Sequence, residues 1–146
     1  GIREKYVADY SPNTEDPDTG RKGDRIMLRK ETMRSYLVTD REFAKELNRI
    51  VAKIHFLHIT QSRANKPTAS PETIMLCREK VFRLLDSIVE DIIALNDSYG
   101  KSIMEFVPEL DKIQTKWNLV DKFYLIAVDF MTDAEATQAI MSAANM

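Results

Sequence analysis

PETIMLCREKVFRLLDSIVEDIIALNDSY, residues 71–99, is the stretch that decides the fold. Ile74, Cys77, Val81, Leu84, Ile88, Ile92, Leu95 and Tyr99 recur at intervals of three or four. At about 100° per residue that spacing lines one face of an α-helix. Phe82, Leu85, Val89 and Ile93 widen the apolar arc to about half the circumference, which predicts contact with more than one neighbour. Ser70 is a good N-cap, and Pro71 suits the first helical position, where its missing N–H costs nothing. Gly100 supplies an expected C-terminal stop.

The same period extends on both sides. Upstream, Thr39–Ser62 carries Phe43, Leu47, Ile50, Val51, Ile54 and Leu57 on one face, with Thr39 and Glu42 spaced as a capping box. Before it, Asp24–Leu37 is expected to be a helix capped by Asp24, with Ile26, Met27, Lys30, Met33 and Leu37 at helical spacing and Arg25, Arg29 and Arg34 on the other face. Downstream, Ser102–Val107 is expected to form a helical turn before Pro108. From Leu110, apolar residues recur through Ile113, Trp117, Val120, Tyr124, Ala127 and Met131. A strand at Phe123–Phe130 fits the apolar density there as well. Thr132 with Glu135 caps a final Ala-rich helix to about Ala144.

These elements predict an all-α fold: an antiparallel helical bundle of four to six helices with a loop-rich N-terminal arm. Residues 1–23 form the arm: a possible short helix at Ile2–Tyr10, then SPNTEDPDTGRKG, whose Pro, Gly and Asx residues favour turns. Residues 24–146 form the bundle domain. The 146-residue chain has the size of one domain and can bury a real core. Gly1 in place of Met, and a pattern still helical at Ala139–Met146, leave room for a longer polypeptide.

Charge is segregated along the chain. Residues 21–66 hold 12 Lys/Arg against 5 Asp/Glu, a net +7, whereas residues 1–20 carry −3 and residues 67–146 carry −6. The total of −2 hides this arrangement. Six bases, Arg21, Lys22, Arg25, Arg29, Lys30 and Arg34, fall within 14 residues and are the first candidates for binding a partner or phosphates. Arg41, Lys45, Arg49 and Lys53 make a second row at i,i+4 steps, tempered by Glu42 and Glu46 at i,i+3 spacing. Tyr36 and Phe56 are the few aromatics near these bases, which argues against a base-stacking single-strand reader.

Other motifs carry less. His55 and His58 lie one turn apart, but a zinc or iron site needs further ligands, and the preferred reading is a boundary histidine pair. Asp16-Pro17-Asp18-Thr19-Gly20 opens like a calcium loop but has Arg21 at position six and Met27 at position twelve. Cys77, the only cysteine, reads as a buried structural thiol with no disulfide partner, which with the missing signal peptide suggests a reducing, intracellular setting. Trp117–Met131, with 11 apolar residues of 15, is too short and too charged to cross a membrane. It is expected to be a core helix, with Trp117, Phe123, Ile126 and Phe130 as the side chains that would meet a second subunit.

No constellation for catalysis, no cofactor motif and no small-molecule substrate is evident. The function read from the sequence is a non-catalytic protein-interaction or assembly module, using the basic segment and apolar helix faces to bind a partner or itself. The alternative is a nucleic-acid-binding subunit of a nucleoprotein assembly, gripping the phosphate backbone through Arg21–Arg34.

Overall fold

The computed structural model describes residues 34–103 and 115–146, and all regular structure among them is helical. A helical segment at 34–39 leads into α1 (Arg41–Ala64), followed by α2 (Pro71–Ile103), α3 (Lys116–Phe130) and α4 (Asp133–Ala144). The expected arm at 1–23, the helix proposed to start at Asp24 up to residue 33, and the positions from Met104 to Gln114 lie outside the described residues.

Each helix start is set by a side chain that satisfies an otherwise unpaired backbone N–H. The Phe43 N–H donates to Asp40 Oδ1 at 3.0 Å, so Asp40 is the N-cap of α1 rather than Thr39. Thr39 is still helical, and its hydroxyl donates back to the Ser35 carbonyl. Both residues are good caps. The winner is the one whose extended backbone breaks the run, since a cap must leave helical geometry while its side chain reaches forward. Ser70 accepts from the Thr73 N–H at the start of α2, and Thr115 accepts from the Asn118 N–H at the start of α3. Thr132 and Glu135 form the full reciprocal capping box of α4.

One expectation is corrected at a helix end. Gly100 does not stop α2, which continues to Ile103. Glycine inside a helix costs only about 1 kcal/mol relative to alanine, and helix-compatible residues on both sides outweigh that. The segment 123–130 takes the helical reading of its spacing and not the strand alternative.

Helix α1 is the hub. It packs most extensively on α2 and α4 and also touches α3, while α3 further contacts α2. Lys53 meets Ser87 and Asp91, Phe43 meets Tyr99, and Lys80 lies over Phe56, so α1 and α2 run antiparallel. His58 faces Trp117 and His55 faces Tyr124, so α3 is also antiparallel to α1. Helix α4 runs with α1: Arg34 holds Glu135 at one end, and Ala52, Phe56 and Ala143 cluster toward the other.

The core is the set of apolar stripes turned toward α1. Phe43, Leu47, Ile50, Ile54 and Leu57 of α1 are enclosed with Ile88, Ile92 and Leu95 of α2, Val120, Phe123 and Ala127 of α3, and Ala139 of α4. Tyr36, Phe43 and Tyr99 add an edge-to-face trio, with centroids 4.9 Å apart for Phe43–Tyr99 and 6.1 Å for the other two pairs. Small residues on α4 allow close approach, because Ala139 and Ala143 are one turn apart and both buried.

The arc of α2 is narrower than its sequence suggests. Leu85 is buried and Val89 packs on the core, but Phe82 is 72% exposed and Ile93 is also exposed. Cys77, expected to be buried, is half-buried.

These differences separate side chains that look alike in the sequence. Phe43→Ala is expected to destabilise the fold by about 3–5 kcal/mol, and Phe82→Ala by about 0.5 kcal/mol or less. Asp40→Ala should cost about 1 kcal/mol through the lost cap, with Thr39→Ala nearer zero. Urea unfolding of the four variants checks this ranking, and equal losses at Asp40 and Thr39 would remove the cap assignment.

Candidate interaction surfaces

The second basic row does not form one ribbon. Each i,i+4 step advances about 40° around a helix, so three steps from Arg41 to Lys53 turn about 120°. The row therefore divides between two seams. Lys53 Nζ donates to Asp91 Oδ2 at 2.6 Å and to Ser87 Oγ at 2.5 Å, in the α1–α2 seam. Arg49 pairs with Glu46 at 2.8 Å on its own helix and with Asp91 at 3.2 Å. Its hydrogen bond with Glu46 outweighs partial burial and, with the charge of Asp91, raises its pKa. Glu42, Glu46, Arg49, Asp91, Ser98 and Tyr99, with Ala94 and Leu95, line a cleft of about 260 Å³ here, in which three carboxylates face one guanidinium.

Arg41 and Lys45 turn the other way. They border a groove of about 520 Å³ between α1, the start of α4 and the segment 34–39. Its surface is almost wholly apolar, from Leu37, Ala44, Leu47, Met131 and Ala134, with Asn48, Glu135 and Gln138 as the other polar lining. Neither Arg41 nor Lys45 makes an ion pair among the described residues, and both are exposed.

Of the first basic cluster, Arg21, Lys22, Arg25, Arg29 and Lys30 lie outside the described residues. Arg34 is described, and its Nη1 donates to the Phe130 carbonyl and to Glu135 Oε1, each at 2.6 Å. That contact fastens the segment 34–39 to the α3–α4 corner. Partial burial pushes the Glu135 carboxyl up, but hydrogen bonds from the Thr132 N–H and from Arg34 outweigh it. The net result lies below the usual carboxylate range.

The side chains considered for a subunit contact sit elsewhere than on an open face. Phe123, Ile126 and Phe130 are buried within their own chain, and Trp117 is half-buried against the core. The apolar side chains that do face out are on α2. Met75 is 70% exposed and Leu76 62%, in the same helix that buries Ile88, Ile92 and Leu95. Met75 and Phe82 are seven residues apart and share a side of the helix. Periodicity predicted a helix correctly there but could not say which part of a wide stripe its neighbours would reach.

The histidine pair meets aromatic rings of α3. His55 stands edge-on to Tyr124 at 5.4 Å, and His58 is tilted against Trp117 at 6.3 Å. Burial, and then repulsion from His58, push His55 below its usual pKa. No three His, Cys, Asp or Glu residues converge as a metal-binding group among the described residues. No helix there is long and apolar enough to cross a membrane. No protein-family model, curated protein or solved structure matches the chain.

Two titrations follow, and both weaken the fold on acidification. His55 has a folded pKa below the ordinary value of about 6.5, so the unfolded chain takes up that proton first. Its contribution is complete above about pH 6.5 and is lost as pH falls toward the folded value. Glu135 behaves the same way at lower pH: its contribution is present above about 4.3 and is lost below. Urea midpoints measured from pH 8 to pH 3 should fall in both windows. His55→Gln should flatten the first and Glu135→Gln the second; an unchanged profile in either variant contradicts that assignment.

Proposed function

We propose that this chain is a non-catalytic helical interaction module that binds a protein partner or a second copy of itself through the open face of α2. The exposure of Met75, Leu76 and Phe82 on one helix carries this reading. Large apolar side chains scattered singly are ordinary on a protein surface, but several on neighbouring turns of one element mark a contact surface. An aromatic residue and methionines are the side chains enriched at the centres of interfaces.

The charges support a protein partner over a polyanion. Arg34, Arg49 and Lys53 are engaged by carboxylates of the chain itself, which removes three of the ten proposed basic contacts from the outer field. In this reading the Arg21–Lys30 cluster orients the encounter, since surface charge governs steering and register more than affinity.

Sedimentation of the full chain over a wide concentration range tests the proposal, with wild type beside a Met75→Ser/Phe82→Ser double variant. Association that the double variant reduces at least tenfold, with helicity unchanged, supports it. A strictly monomeric chain that binds no hydrophobic dye at this face overturns it. Binding to duplex DNA or RNA that falls steeply with salt and collapses in an Arg25→Glu/Arg29→Glu/Lys30→Glu variant replaces it with the nucleic-acid reading.

A further inference from the structure

The groove beside α4 is a separate feature from the α2 face, and its chemistry is different. Its volume of about 520 Å³ falls within the range typical of small-molecule sites, roughly 300–1,000 Å³. Such sites are mostly apolar with a few placed polar groups. Here the floor is aliphatic, from Leu37, Ala44, Met131 and Ala134; Glu135 stands on the α4 side, and the positive charge lies along the α1 edge.

That edge is cationic. Arg41 and Lys45 are one helical turn apart and both line the groove, so the two side chains leave α1 on the same side. Glu135 is the only acid in the lining, and it is occupied: its Oε1 accepts from Arg34 and from the Thr132 N–H. The two cations therefore face the groove without a matching carboxylate among the described residues.

The shape selects a slender occupant. The lining of α1 runs from Arg41 to Asn48, about 10 Å along the axis at 1.5 Å per residue. A two-turn helix about 10 Å across fills roughly 800 Å³, so a helical peptide would rest on this groove rather than enter it. An alkyl chain fits within it and covers the apolar floor without bringing backbone polar groups that need partners.

We propose that the groove between α1 and α4 binds the anion of a free medium-chain fatty acid, its carboxylate on Arg41 and Lys45 and its chain along Leu37, Ala44, Met131 and Ala134. The guanidinium of Arg41 offers paired N–H donors to a carboxylate, and Lys45 adds a mobile charge one turn away. Shielding of the aliphatic floor supplies most of the affinity, and the cations fix which end of the ligand lies outward.

The test uses the isotope-labelled full chain titrated with decanoate below its micelle concentration, followed by amide shifts. Saturable shifts at Ala44, Lys45, Ala134 and Gln138 are expected. An Arg41→Ala/Lys45→Ala variant should weaken binding about tenfold, and 1-decanol should bind wild type more weakly than decanoate by a similar factor. Ala44→Phe, which fills the floor, should abolish the shifts while helicity is retained. The proposal is overturned by decanoate binding that ignores the double variant, or by shifts centred on Met75 and Phe82. It is also overturned if the chain associates with anionic phospholipid vesicles but leaves free decanoate unbound, which would make the groove's cations part of a membrane-facing surface. Binding at the groove leaves the α2 proposal unaffected, because the Met75/Phe82 variant keeps it.

Discussion

The constraint on which this fold rests is the enclosure of α1. A helix at the surface buries one stripe, but α1 buries Phe43, Leu47, Ile50, Ile54 and Leu57 in one cluster with residues of α2, α3 and α4, and Ala52 and Phe56 in a second cluster with Ala143. Each fully buried Leu, Ile or Phe contributes about 1.5–3 kcal/mol through shielding from water. Helix α4 gains most of its burial from α1, so it has little reason to remain helical apart from it. A 12-residue helix is marginal alone in water, whatever the quality of its cap. The capping box of α4 and its seat on α1 therefore act together.

The register of these helices is fixed by a few polar contacts placed among apolar ones. Asp91 receives both Lys53 and Arg49, and Lys53 is mostly shielded where it does so. A one-residue slip of α2 along α1 would strand that cation against apolar surface, an expensive outcome. At the opposite end Glu135 performs two tasks, closing the α4 cap and holding Arg34. The Arg34 contact draws in the segment 34–39, which brings Leu37 and Tyr36 onto the core. The entry of the chain and the last corner of the fold are thus joined through one carboxylate.

Much of this was legible in the sequence. Periodicity identified α1, α2 and α4 nearly to their ends, because amphipathic spacing and caps are local properties. The features that were misjudged depend on neighbours. The Asp40 cap beat Thr39 only because the backbone turns there. Phe82 and Leu85 have equal claim to burial on a helical wheel, yet one is open and the other enclosed, because packing neighbours reach only part of that arc. The strand alternative at 123–130 arose because a helix touching two others is apolar on most sides and loses its period. The groove had no signal at all. Its floor comes from three places in the chain, and nothing local links Leu37 to Ala134.

The division of the second basic row shows how helix geometry turns a charge count into two different surfaces. In sequence Arg41, Lys45, Arg49 and Lys53 are equivalent steps of a repeat, softened by Glu42 and Glu46. The 40° drift carries Arg49 and Lys53 to the acids of α2 and leaves Arg41 and Lys45 beside an aliphatic groove. The first pair is used to hold the fold, and substituting it would be felt as stability. The second pair is not needed for any described contact, so its charge is open to an anion from outside. The net charge of residues 21–66 thus overstates the field that a large polyanion would meet. On the α1 side of the groove, two cations beside an apolar floor form a local arrangement suited to a small amphiphile.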